Sequence, residues 1–282
     1  MIDKYKILNL IKRLFNNKFY RYFNFMVSVV SLYYISNILS DEINYILELN
    51  YLALLISVII YICGIFFLAL GWSFLNNGQG LKNNIYLKSW YYSILGKYVP
   101  FKITSALLRY NYLKINNHEI NLPTYSKLTV KEQIFIIFTA SLFSIFFFLD
   151  NNLLSNFILL NIFLVLYITF LIFKNKKVLI CYVGFYYLSF LSLLSFNILS
   201  YGELLTSSVF AFILSSLIAF FAIGSPAGIG IREYVSVLLL SNNFSEEFIL
   251  VLFMQYRIVT IISDVLSFLI FKIYRKLSIW LE

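Results

Sequence analysis

The sequence predicts an all-α polytopic membrane protein of about eight transmembrane helices. Two of its segments are interrupted by proline and glycine, re-entrant or discontinuous, and are arranged as a candidate structural repeat. Three observations carry this prediction. Of 282 residues, 61% are hydrophobic and 12% charged, with a mean hydropathy of +0.84, whereas a soluble domain is roughly a quarter charged. Apolar runs of membrane-spanning length recur along the chain. The connections between them segregate charge, the lysines and arginines falling in one set and none in the other. A single integral membrane domain over 1–282 follows.

At the N-terminus, Ile7, Leu8, Ile11, Leu14 and Phe15 fall at helical spacing against Lys4, Lys12, Arg13 and Lys18. That pattern predicts a cytoplasmic amphipathic helix over 1–18, lying on the membrane surface. The next run is about twenty residues long and lacks a small-residue cleavage site, so no removed signal peptide is expected. Spanning runs occur near 19–40, 51–73, 130–149, 153–173, 178–199, 204–223 and 248–271, each near the ~20 residues that cross the hydrocarbon core. A broken segment, 226–241, makes an eighth. At some 24 Å it is shorter than a core of roughly 30 Å, so it is tilted, re-entrant or joined to 204–223. Residues 74–129 form a cytoplasmic or re-entrant connection, with 90–112 its apolar part and 113–129 an ordinary loop.

Charge then sets the orientation. The connections 41–50, 150–152, 200–203 and 241–247 carry Asp41, Glu42, Glu48, Asp150, Glu203, Glu246 and Glu247 and no lysine or arginine. The cations collect in 1–18, in 74–129, at Lys174, Lys176 and Lys177, and at Lys272, Arg275 and Lys276. By the positive-inside rule this predicts a multi-pass protein of the cytoplasmic (bacterial inner) membrane with both termini cytoplasmic. The same distribution accounts for the formal charge of +9, and nucleic acid is not an expected partner. The 20% aromatic content follows the abundance of residues with A/T-rich codons and signals no stacking platform.

Two interrupted segments concentrate the chemistry. In 224–234, Pro226 cannot continue an incoming helix but can start a new one. Gly228 and Gly230 remove side chains where a partner approaches the backbone, and the free N–H groups of a helix start favour an anion. Arg232 and Glu233 then place charge at membrane depth, where ionisable groups are expensive and face a cavity or a partner. In 90–112, Pro100 is a second break, flanked by Lys97, Lys102 and Arg109. One such segment in each half suggests two repeats whose broken helices meet at a substrate site; the alternative for 90–112 is a proline-kinked helix lying on the surface.

Gly96-Lys97-Tyr98-Val99-Pro100, followed by Ser225-Pro226-Ala227-Gly228-Ile229-Gly230-Ile231-Arg232-Glu233 and by Arg257 in a late apolar run, resembles the flippase-like transmembrane domain of the lysylphosphatidylglycerol synthase family and its stand-alone relatives. The resemblance extends from about residue 15 to 275 and its specificity resides in the two short motifs. Ala227 and Phe101 stand where a glycine is common in the family. The resemblance implies translocation of a lipid with a polar or charged head group between leaflets, in cell-envelope or glycoconjugate pathways. The soluble aminoacyl-transfer domain of the synthases has no counterpart here, so lipid aminoacylation is not expected.

A phosphate crossing the bilayer must exchange water for donors held by protein, and the planar arginine fork suits that exchange. Arg232 and Arg257 are the first candidates, with Gly228 and Gly230 as backbone donors and Lys97 and Arg109 collecting the head group. Glu233 and Asp264 are candidate titrating groups at the same site. The competing reading of Arg232 is an internal salt bridge to Glu233 or Asp264. Arg257 and Asp264, seven residues apart, share a helix face about 10 Å apart, so they neutralise each other only through a partner helix or water.

No Ser/His/Asp set, metal-ligand cluster or Walker-type loop is present, and Cys63 and Cys181 lie apart in apolar runs. No catalytic residue, metal or cofactor is therefore expected, and the chain reads as a translocase and not a bond-making enzyme. The expected substrate is an anionic lipid or a polyprenyl-phosphate-linked one in contact with membrane lipids. A glycosyltransferase or synthase and a second copy of the chain are candidate protein partners. Two alternatives stay open: a membrane glycosyltransferase or polymerase using an isoprenoid-phosphate donor, with Asp41 and Glu42 as candidate carboxylates, and a non-catalytic scaffold.

Overall fold

The computed structural model describes residues 49–76, 83–98, 103–116, 121–145, 176–202, 206–221, 228 and 230–280. These residues are all-helical: α1 (Tyr51–Asn76), α2 (Asn83–Ser93), a 3₁₀ turn (Ile94–Tyr98), α3 (Ile103–Ile115), α4 (Leu122–Ile145), α5 (Lys176–Tyr201), α6 (Thr206–Phe221), α7 (Ile231–Leu240) and α8 (Glu246–Trp280). Among the described residues three stretches, Tyr51–Asn76, Lys176–Tyr201 and Glu246–Ile273, are long and apolar enough to cross a membrane. The surface helix expected over 1–18, the runs at 19–40 and 153–173, and both Pro100 and Pro226 lie outside the described residues.

The central packing is α1 against α5, and the sequence explains why they approach so closely. Ala53, Ser57, Tyr61, Gly64, Ala69 and Trp72 recur at helical spacing on the buried side of α1, while Leu55, Ile59 and Phe66 are exposed on the other. Small residues let two apolar helices come close where no water is expelled to drive association. A Cβ on Gly71 would meet the Tyr182 ring at 3.1 Å, and one on Gly184 would meet Phe67 at 2.9 Å. Hydrogen bonds join the same helices: Ser192 Oγ donates to the Ser57 carbonyl at 2.8 Å, and the Tyr256 hydroxyl of α8 donates to Ser192 Oγ at 3.1 Å.

Around this core sit two helical hairpins. In the first, α2 and the 3₁₀ turn pack on α3; in the second, α6 packs on α7. At 10 residues, α7 extends only about 15 Å, half of a core of about 30 Å, so it cannot cross alone. α8 packs against α1, against α2 and the 3₁₀ turn of the first hairpin, and against α7 of the second. α4 also touches both, through α3 and α6.

The structure corrects the reading of 113–129. Residues 113–129 were expected to be a loop, yet 122–129 form the first two turns of α4 and 113–115 the end of α3. Pro123 sits in the opening turn of α4, where its missing N–H costs nothing. Tyr125 and Leu128 turn inward from an otherwise polar stretch, with the Tyr125 ring edge-on to Trp72 at 5.9 Å and its hydroxyl donating to the Ala106 carbonyl at 2.7 Å. Tertiary contact, more than hydrophobicity along the strip, makes this segment helical.

Candidate functional site

Between the hairpins, α4 and α8 lies a cavity of about 550 Å³ whose lining includes Lys97, Arg109, Arg232 and Arg257. Four of the expected site cations therefore face one space, contributed by the 3₁₀ turn, α3, α7 and α8. Neutral polar groups complete that wall, among them Ser105, Thr129, Gln133, Ser216 and Thr260, and an apolar wall is made by Phe220, Phe221 and Ile261.

Glycine closes each hairpin beside the cavity. A Cβ on Gly96 would lie 2.8 Å from the Ser105 Cα, so the 3₁₀ turn rests directly on the α3 backbone. Gly228 adopts φ +76, and a Cβ there would lie 2.9 Å from the Ala219 Cβ of α6. Its left-handed backbone and lack of side chain are both used. Gly228→Ala is expected to cost about 1–3 kcal/mol through overpacking alone, with strain at positive φ adding to it. Gly96→Ala falls in the same range. Detergent-resistance melts of both variants check this; unchanged melts would mean that the hairpins are not closed at these glycines.

The carboxylates pair with these cations across elements. Glu233 accepts the Gly230 N–H through Oε2 at 2.8 Å and Arg257 Nη1 through Oε1. It therefore satisfies a donor at the start of α7, where negative charge is favoured, and ties that helix to α8. Gly230, at φ +85, thus has its N–H bound within the protein, which corrects its expected role as a donor for an arriving anion. Asp264 Oδ2 accepts Lys97 Nζ at 2.6 Å and the Tyr98 hydroxyl.

Arg257 and Asp264 thus fasten one hairpin each, resolving how two opposite charges two turns apart on one helix are both neutralised. Glu233 and Asp264, the two carboxylates weighed as partners of Arg232, are shared with Arg257 and with Lys97. Arg232 itself carries its guanidinium 5.1 Å from the Phe212 ring centre, while Ser236, bonded to its carbonyl at 2.8 Å, also reaches Ser215 of α6 at 3.0 Å.

Sequence reasoning missed Glu132 and Tyr98. Glu132 is 1% exposed and accepts Arg109 Nη1 at 2.7 Å, with the guanidinium 4.4 Å from the Trp72 ring centre. The signal was present: a carboxylate inside the apolar run 130–149, the same criterion that singles out Arg232. Tyr98 was hidden by the abundance of tyrosine. Glu233 and Asp264 do not line the cavity; each holds a cation that does. Among the described residues no group of three or more His, Cys, Asp or Glu side chains is arranged to hold a metal ion. No family model, curated protein or solved structure matches the chain.

Proposed function

We propose that this chain is a flippase-like translocase that moves an anionic lipid or lipid-linked saccharide between membrane leaflets in cell-envelope biogenesis. One observation carries the reading: four cations, Lys97, Arg109, Arg232 and Arg257, contributed by four elements, line one cavity of about 550 Å³. A cavity wall carrying four cations suits a phosphate head, and arginine binds it through parallel hydrogen bonds without losing its own proton. The volume falls within the roughly 300–1,000 Å³ of small-molecule sites. The hydroxyl and amide groups of Ser105, Thr129, Gln133 and Ser216 suit the uncharged polar part of a head group.

About eight crossings with both termini cytoplasmic, and the motif likeness to the flippase-like domain of lysylphosphatidylglycerol synthases, support the same reading. In that arrangement the two glycine-closed hairpins are re-entrant, and the head group travels between them while its tails stay in lipid. The test is reconstitution into liposomes with labelled phospholipid or labelled polyprenyl-phosphate lipid. Wild type is expected to move label between leaflets, and Arg232→Ala to lower the initial rate by about tenfold or more. Unchanged transport in Arg232→Ala removes the proposed site, and sugar transfer without lipid movement assigns an enzyme.

A further inference from the structure

The cations of the cavity are not held equally. Arg109 and Arg257 have side chains 10% and 11% exposed, but Lys97 is 41% exposed while its partner Asp264 is 1% exposed. The lysine opens onto the cavity; the carboxylate behind it does not. An ion pair with one member in solvent is weakly held, whereas pairs as enclosed as the other two resist separation.

The carboxylates differ as well. Glu233 gives one oxygen to Arg257 and the other to the Gly230 N–H. Asp264 receives Lys97 and Tyr98 on the same oxygen, Oδ2, and its Oδ1 has no hydrogen-bond partner among the described residues. Two donors therefore compete for one acceptor. When Lys97 leaves, the Tyr98 hydroxyl still donates to that oxygen, so the carboxylate keeps one hydrogen bond. Lysine suits such an exchange because its ammonium is a point charge on a flexible stem, without the fixed fork of arginine.

Resting on the anionic-substrate reading above, we propose that Lys97 is the exchangeable receiver of the cavity. A phosphate-type anion displaces Asp264 as its partner, Asp264 keeps Tyr98, and the hold of α8 on the first hairpin loosens as the site fills. Asp264 and Tyr98 are then positioning residues that set how readily Lys97 is given up. Arg257, enclosed and held by Glu233, whose other oxygen is fixed by the Gly230 N–H, stays in place.

The proposal predicts effects of opposite sign from two conservative changes, which a merely structural role does not produce. The full chain in neutral detergent is titrated calorimetrically with short-chain phosphatidylglycerol and, separately, with inorganic phosphate. Asp264→Asn is expected to bind about tenfold more tightly, because Lys97 no longer has a charged competitor. Tyr98→Phe is expected to bind several-fold more weakly, because Asp264 is left to Lys97 alone. In a Lys97→Gln background both effects vanish, which identifies the lysine as the mediator.

A gain with both probes assigns the phosphate group itself as the ligand and a gain with the lipid alone assigns the whole head group; either supports the exchange. If Asp264→Asn does not fold, Tyr98→Phe with and without Lys97 carries the test. Effects of the same sign, or effects that persist without Lys97, overturn the proposal while leaving the anionic-substrate reading intact. A wild type that binds neither probe overturns both.

Discussion

Glu132→Gln is expected to destabilise the chain by about 3–5 kcal/mol, the range for stranding one member of a buried ion pair, and by more than Arg109→Gln. The asymmetry follows from chemistry. Without Arg109, the buried carboxylate can take up a proton and become neutral; without Glu132, the guanidinium cannot lose one. Arg109 would then stay charged at 8% exposure, bonded to Ser93 Oγ at 3.3 Å and stacked on Trp72. Equilibrium unfolding in mixed micelles measures the difference. Equal losses, or a larger one for Arg109→Gln, would mean that the pair is solvated well enough for either charge to stand alone.

The second large effect is expected from Glu233→Gln. One residue ties together the start of α7, the cavity-facing Arg257 and, through α8, the rest of the fold. Glutamine keeps the size but loses the charge that both the helix start and Arg257 require. A loss of about 3–5 kcal/mol is expected, together with lipid transport reduced more than tenfold. Glu233→Asp, one methylene shorter, is expected to keep the charge but satisfy only one of the two donors, and so to fall between. Transport and unfolding measured on both variants check this order; wild-type behaviour of Glu233→Gln would detach this residue from the site.

The parts of the fold that were legible in the sequence are those where hydrophobicity alone determines the outcome. α1, α5 and α8 were expected at 51–73, 178–199 and 248–271 and occur at Tyr51–Asn76, Lys176–Tyr201 and Glu246–Trp280, because a long uninterrupted apolar run has few alternatives. The opening of α4 was not legible. Asn116, Asn117, His118, Glu119 and Pro123 make 113–129 look like a loop, and only the docking of Tyr125 onto Trp72 and α3 shows why its second half is a helix. At the site, charge at membrane depth pointed to Arg232, Arg257, Glu233 and Asp264, and glycine beside proline pointed to the hairpins. The pairing was beyond reach. Neighbours in sequence such as Arg232 and Glu233 point about 100° apart on a helix, and Glu233 reaches Arg257, twenty-four positions later.

The central claim is that the cation-lined cavity, and not the outer face of the bundle, receives the charged head of a lipid. Photo-crosslinking tests it most directly: the reconstituted chain is irradiated with an anionic phospholipid carrying a photoreactive head group, and the adducts are mapped by mass spectrometry. Adducts are expected on the peptides carrying Thr129, Gln133, Ser216 and Thr260, and are expected to fall when unlabelled anionic lipid competes. Adducts confined to the exposed side of α1, at Leu55, Ile59 and Phe66, and indifferent to competitor, would contradict the account.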